Sequence, residues 1–500
     1  LKNLKQADAD ERWRGWKTMR VIERPKLHFT ARENWLNDPN GLVYYQGEYH
    51  LFFQHHPFGT TWGTMHWGHA VSQDLLHWEH LPIALFPDEL GTIFSGSAVV
   101  DWQDTTGFFD GQPGLVAIFT HHLDTDTGVL ERQSLAYSKD AGRTWTKYDG
   151  NPVLVNEQET DFRDPKVFWH DETQSWIMVV AAGQRVLIYT SSNLTDWSYR
   201  SAFASSNLGK WDGVWECPDL FELPVEDKDQ VKKWVLLVSV GSVHIPGAPR
   251  TQYFVGYFDG TTFVNENKEE TVLWLDYGGD NYAGVSWSDI PEEDGRRMYL
   301  GWMSSPKYAN VTPTKEWRGA LTLPRQLELR TTAEGIRLFQ HPVEELVTVR
   351  QLVKTMEASI IQPDAPLISL VEHEAFEVIA EFEWKNAAGF GIQIKTADRE
   401  HTSIGYRCDE NWLYIDRSCS GKVDFHPEFS ETQGVAIALR EKRLSLRLIV
   451  DHCSVELFAE DGEVVMTSLI FPSQACKEIH WFADGGTVKL KHCEIYTLNS

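Results

Sequence analysis

The chain has 500 residues, more than one hydrophobic core usually organises, so two or three domains are expected. Its 72 acidic and 46 basic residues give a net charge of −26, which repels polyanions and argues against a nucleic-acid partner. Composition is ordinary for a globular protein, at 42% hydrophobic and 24% charged. Apolar runs such as Ile177 to Ala182 fall far short of the roughly 18 residues that cross a bilayer, so no membrane partner is expected either.

The stretch to Arg20 starts on Leu, is polar and has no apolar signal region. Residues 1–26 are therefore read as an N-terminal extension whose leader was removed or never present. From 30 to 330, short runs rich in Val, Ile, Tyr, Phe and Trp are broken by Gly, Asn, Asp and Pro about every ten residues, which predicts strands throughout. Two repeats interleave there. One is a strand, a polar turn and an aromatic, at Ser72 to Trp78, Ser138 to Trp145, Ser192 to Trp197 and, more weakly, Phe258 to Phe263. The other opens at Asp38, Ser95, Asp164, Glu216 and Tyr282, in steps of 52 to 69 residues, each copy followed by another apolar strand. Units of about 50 residues carrying four strands have the size of propeller blades, so residues 27–341 are read as a five-bladed β-propeller.

Residues 342–357, with mixed charge and helical spacing, are read as a linker. Beyond it, runs such as Phe376 to Trp384, Trp412 to Arg417, Leu444 to Val450 and Val488 to Tyr496 alternate as strands with one wet and one buried face do. With turns such as Asp461-Gly462 between them, residues 358–500 read as a β-sandwich. The expected fold class is all-β, a five-bladed propeller followed by a C-terminal sandwich.

Twenty-one tryptophans exceed what packing needs, and about a third of them are read as flat platforms of a sugar cleft. Cys408, Cys419, Cys453, Cys476 and Cys493 cluster late in the chain and leave Cys217 alone. Their spacings match no zinc pattern, so they are read as buried thiols or at most two disulfides. His55-His56, His66 with His69, and His121-His122 invite a metal reading, but neighbours on a strand face opposite ways. Hydrogen-bonded histidines are expected, with no metal and no cofactor.

If the second repeat forms blades, equivalent positions converge at one end of the central channel and bring Asp38, Asp164 and Glu216 together. Any one of them alone is better read as a turn or strand cap; three in register reverse that reading. Three carboxylates without paired lysines repel one another, which raises at least one pKa, and glycoside cleavage needs one protonated carboxyl beside one ionised. The segments Trp35-Leu36-Asn37-Asp38-Pro39-Asn40-Gly41, Phe162-Arg163-Asp164-Pro165 and Trp215-Glu216-Cys217-Pro218-Asp219 resemble, in order, the three signatures of the retaining β-fructofuranosidases of glycoside hydrolase family 32. That family includes invertases, exo-inulinases and levanases, and the resemblance covers nearly the whole chain. Leu36 stands where the family more often has Met, a swap that conserves volume.

The resemblance implies the propeller-plus-sandwich fold, with Asp38 as nucleophile, Glu216 as general acid and base, and Asp164 as stabiliser of the transition state. It also suggests Asn37, Gln54, Trp62 and Ser95 as hydrogen-bonding groups and Trp35, Phe94 and Trp302 as apolar walls. Arg163 would orient Asp164, and Tyr282 completes the substrate-binding set. A catalytic Cys217 is disfavoured, since no His and Asn pair has a recognisable place beside it.

Within the class, His66 to Ala70, Leu81 to Leu85, Tyr282 to Trp287 and Trp317 to Ala320 look closer to exo-acting fructan hydrolases than to phosphosucrose hydrolases. The motifs have no Lys and Arg cluster nearby, which favours a neutral sugar. The expected function is release of terminal β-D-fructofuranosyl units from fructans (levan, inulin) and sucrose by double displacement. Fructosyl transfer through the same intermediate is the alternative; an inverting furanosidase and a non-catalytic fructan-binding protein are further readings. An extracellular location is expected, with the cytoplasm as the alternative, and the oligomeric state is left open.

Overall fold

The computed structural model describes residues 22–204, 213–228, 230–241, 249–268 and 270–499. Most of the extension read at 1–26 lies outside the described residues.

Five ladders stand around one axis, antiparallel and with their main strands in sequence order, apart from one short parallel strand added to the inner edge of the first. Their innermost strands are Asn34–Tyr45, Thr92–Asp101, Phe162–His170, Trp215–Pro224 and Tyr282–Ser286, which begin blades 1 to 5. They are the segments that open the second repeat. Val, Ile, Leu and aromatic residues cover both faces of the middle strands, as in Ile177 to Ala182, because each blade is packed between two others. The ring closes where Ser288, just past blade 5's inner strand, exchanges backbone hydrogen bonds with Leu42 and Tyr44 of blade 1. Trp317–Arg318, from the connection inside blade 5, pairs in parallel with Asn34 and Trp35 and strengthens that seam.

The first repeat has a common physical cause. At Asp74, Asp140 and Asn193 a short polar side chain accepts hydrogen bonds from backbone N–H groups two to four residues on and fixes the hairpin turn. The following Trp78, Trp145 and Trp197 each donate the indole N–H back to a turn carbonyl, at 3.1, 3.0 and 2.8 Å. Asp259 caps its own turn in the same way, without a tryptophan.

The helical spacing noted in the linker segment 342–357 yields no α-helix. Glu344–Val349 is a single 3₁₀ stretch, and Arg350–Met356 is a strand paired antiparallel with Val488–Leu498. An available sheet edge outweighs the weak local helical pattern. The sandwich consists of a seven-stranded and a six-stranded sheet. Phe376, Val378, Ala380, Phe382 and Trp384 of one sheet point into a core shared with Phe390, Ile392 and Trp481 of the other, the alternation expected of half-buried strands.

The two domains meet through buried charges. Arg325 of blade 5, fully buried, donates to Glu456 of the sandwich at 2.5 and 3.1 Å and to Asp276 at 3.1 Å. His28 bridges Asp451 at 2.8 Å and Glu456 at 2.7 Å. The six cysteines are all free thiols, four of them buried, so the disulfide option is not realised. The paired histidines are hydrogen-bonded: His55 to the Trp35 carbonyl, His66 to that of Thr64, His69 to His50, His121 to Ser134 and His122 to Glu131.

Candidate active site

Each inner strand enters the channel through the same irregularity. The pairing register with the second strand slips between Leu36 and Pro39, Ile93 and Gly96, Arg163 and Lys166, Glu216 and Asp219, and Tyr282 and Val285. A bulge bends a strand and re-aims side chains, and here all five fall at one mouth of the ring. Asp164, Cys217 and Ala283 sit at φ of 64°, 47° and 54°. Asp tolerates this left-handed backbone, whereas Cys and Ala adopt it only where the surroundings force it. Gly319, at φ 90°, crosses beneath the first motif, where a Cβ would lie 1.9 Å from the Leu36 carbonyl oxygen.

All twelve residues selected from the sequence line one cavity of about 670 Å³. Asp38 Oδ2 accepts from Ser95 Oγ at 2.7 Å and Oδ1 from Asn37 Nδ2 at 3.0 Å; Asn37 is itself held by the Trp35 indole N–H at 2.7 Å. Asp164 receives the Cys217 backbone N–H at 2.9 Å, and its own N–H is fixed by Thr120 Oγ1. Glu216 accepts from Tyr282 OH at 2.5 Å and Arg163 at 3.2 Å. Cys217, next in sequence to Glu216, places its Sγ 3.7 Å from Asp38 and 3.6 Å from Asp164, so the three motifs meet at one thiol.

The expectation of raised carboxyl pKa values is refined by the cause. Burial is the leading influence on Asp38 and pushes it up to about 6, with the Glu216 charge adding to it and the Ser95 and Asn37 hydrogen bonds opposing. Burial likewise pushes Asp164 up to about 7, against Arg163 and with the charges of Glu216 and Asp38. Burial and the same charges hold the Cys217 thiol well above its ordinary value, which leaves it protonated and poorly nucleophilic.

Around the carboxylates, Trp35 and Trp302 pack at 6.1 Å, and the Trp302 indole N–H is buried with no partner among the described residues. Phe94 stacks on His122 at 4.0 Å, while Trp62, 52% exposed, forms the outer rim. Gln54 donates to Asn40 at 2.8 Å behind the first motif. The Arg163 guanidinium hydrogen-bonds to Glu216 at 3.2 Å, and to Asp161 at 2.8 Å and Glu131 at 3.4 Å, so its direct partner is Glu216 and its influence on Asp164 is through charge. Glu131 and Asp161 belong to no motif in the sequence, whereas His122 is read there only as one of a hydrogen-bonded pair of histidines. The one signal for Glu131 is the hairpin register that sets it opposite His122.

The profile of the glycosyl hydrolases family 32 N-terminal domain matches residues 28–342, and that of the family 32 C-terminal domain matches residues 343–497. The chain belongs to glycosyl hydrolase family 32. It is therefore a glycoside hydrolase, and the resemblance carried by the three motifs is real kinship. Family 32 relatives include the levanase of Bacillus subtilis (strain 168), 51% identical over 480 residues that make up 95% of this chain and 70% of that protein. The levanase of Bacillus sp. (strain L7) is 39% identical over 95% of this chain but only 52% of its own length, so this chain spans about half of that relative. Among family 32 structures, the exo-inulinase from Aspergillus awamori has a TM-score of 0.86 at 35% identity, covering 96% of this chain and 99% of that one. The fructofuranosidase from Schwanniomyces occidentalis complexed with fructose has a TM-score of 0.85 at 32% identity, with the same coverage. These neighbours and both family matches agree with the propeller-plus-sandwich fold.

Proposed function

We propose that this family 32 chain releases terminal β-D-fructofuranosyl units from levan, inulin and sucrose by double displacement with net retention. The observation that supports it best is the delivery of Asp38, Asp164 and Glu216, each from a different blade, to one sugar-sized hollow. The relatives named levanase and exo-inulinase, and the neighbour bound to fructose, favour a fructosyl substrate. The hollow's own charge favours a neutral one. Arg163 is the one Lys or Arg among its described lining residues, already engaged by carboxylates, and Glu131, Glu159 and Asp161 add negative charge that repels a phosphorylated sugar.

In the first step Glu216 passes its proton to the leaving glycosidic oxygen while an ionised Asp38 attacks the anomeric carbon, forming a covalent fructosyl ester. Tyr282 and Arg163 hold the Glu216 carboxyl in place, and Ser95 and Asn37 hold the attacking carboxylate. In the second step Glu216, now ionised, takes a proton from water as the water oxygen displaces Asp38. Asp164 supplies an acceptor for fructose hydroxyls as positive charge grows on the ring.

Relatives named as extracellular support a location outside the cell for this enzyme as well. Among the described residues no helix is long and apolar enough to cross a membrane. The test is separate incubation with sucrose, inulin and levan, with products followed by chromatography. Free fructose from the earliest times is expected, and Asp38→Ala should lower the rate by at least about 10⁴-fold with an unchanged circular dichroism spectrum. Cyclic or lengthened products would replace hydrolysis by transfer, and retained turnover in Asp38→Ala would remove the nucleophile.

A further inference from the structure

The ring has a second hollow, at the opposite mouth of the channel from the carboxylates. Its volume is about 850 Å³, and it is lined by the far ends of the inner strands of blades 2, 3 and 4 and by the segment after that of blade 5. Along the blade 3 strand, Trp169 lies about 17 Å from Asp164 at ~3.3 Å per residue. None of Asp38, Asp164 and Glu216 lines it.

Its walls combine large aromatic faces with polar edges. Trp102 is 58% exposed, yet it is not a loose surface side chain: its indole N–H donates to Asp289 at 2.8 Å and its ring meets Tyr45 at 6.0 Å. Trp169 is half-buried against Trp176, edge to face at 5.2 Å, and Trp234 is half-buried against Phe168 at 5.6 Å. Ser288, which also lines the hollow, is only 6% exposed, and its hydroxyl has no hydrogen-bond partner among the described residues. An exposed tryptophan locked in place, beside further aromatics and a buried idle hydroxyl, suits a ligand with flat apolar faces and many hydroxyls.

Charge excludes other occupants. The cations of this hollow are engaged, Lys166 by the Ser286 carbonyl at 2.6 Å, Lys232 by Glu222 at 2.8 Å and Arg297 by the Trp287 carbonyl at 3.1 Å, and the acids of the rim outnumber them. An anionic ligand therefore finds no free partner, and no set of three metal-ligating groups is gathered there among the described residues.

We infer that the far mouth of the propeller is a non-catalytic binding site for a neutral oligosaccharide, a segment of fructan polymer. The inference rests on the fructan reading above. A chain held at this face is kept at high local concentration, so that the ends of the same or neighbouring polymers reach the catalytic mouth more often.

Affinity electrophoresis in native gels containing levan or inulin tests it, in the Asp38→Ala background so that the gel is not digested. Adding Trp102→Ala or Trp169→Ala should weaken polymer affinity about tenfold, whereas Trp102→Phe, which keeps the aromatic face, should retain most of it. In the active background the same alanine variants should hydrolyse sucrose with unchanged kcat/KM and show a raised KM for polymer alone. Unaltered retardation of both alanine variants would overturn the site. Sucrose turnover lost together with polymer binding would also overturn it, by making these tryptophans packing residues. Failure of the wild-type enzyme to cleave any fructan would instead strike the earlier reading, and the two failures are told apart by the separate readouts.

Discussion

In the proposed mechanism Asp38 attacks in its ionised form, and burial, with the Glu216 charge adding to it, pushes its pKa up to about 6. In the free enzyme kcat/KM should therefore rise with pH through about 6 on the acid side. Ser95 donates to the carboxylate and lowers that pKa, so Ser95→Ala should move the acid limb upward by about one unit, and a limb that stays put would remove Ser95 from this role. Cys217 gives a second check at the same scale. Its raised pKa and full burial make it inert, so iodoacetamide should leave it unmodified in the native protein while alkylating the exposed Cys419. The carboxylates were legible in the sequence because motif and repeat position agreed on them. The left-handed backbone at Asp164 and Cys217, and the Glu131 and Asp161 clamp on Arg163, were not, since both depend on which strands become neighbours after closure.

The blades are specified by their turns as much as by their strands. Asp140 accepts from the backbone N–H of Thr144 at 2.8 Å and its hydroxyl at 2.7 Å, and Trp145 then packs edge-on against Phe52 of blade 1 at 5.3 Å. One hairpin thus fixes both its own turn and the contact between two blades. Asp140→Ala should cost about 1–2 kcal/mol, read as a lower urea midpoint with an unchanged slope, and leave sucrose hydrolysis intact. The repeat was visible because this chemistry needs the same residue types at the same spacing each time. The segment after blade 5 had no such marker. Arg350–Met356 carries a pattern that fits a helix or a strand, and only the free edge of Val488–Leu498 decides between them.

At the scale of the whole molecule, the sandwich is fastened to the propeller by charges that no local pattern reveals, because Arg325, Glu456 and His28 lie far apart in the chain. Burial alone would lower the His28 pKa, but hydrogen bonds to Asp451 and Glu456 override it and raise it from 6.5 to about 9. The pairing stabilises the fold fully below pH 6.5 and is lost as pH rises through about 9, a contribution of roughly 3 kcal/mol. Calorimetric melting should show this decline between pH 7 and 9.5, and His28→Gln should flatten it; an unchanged decline in that variant would assign it to other groups. The ring's main consequence is chemical, since only its closure gives a single sugar access to residues from blades 1, 3 and 4. Its most direct test is mass spectrometry of Glu216→Gln quenched during reaction with β-D-fructofuranosyl fluoride. That leaving group needs no proton, whereas release of the ester lacks its base, so the intermediate accumulates. One fructosyl unit on the peptide carrying Asp38 is the predicted result, and an adduct on another residue, or none while fluoride is released, would contradict it.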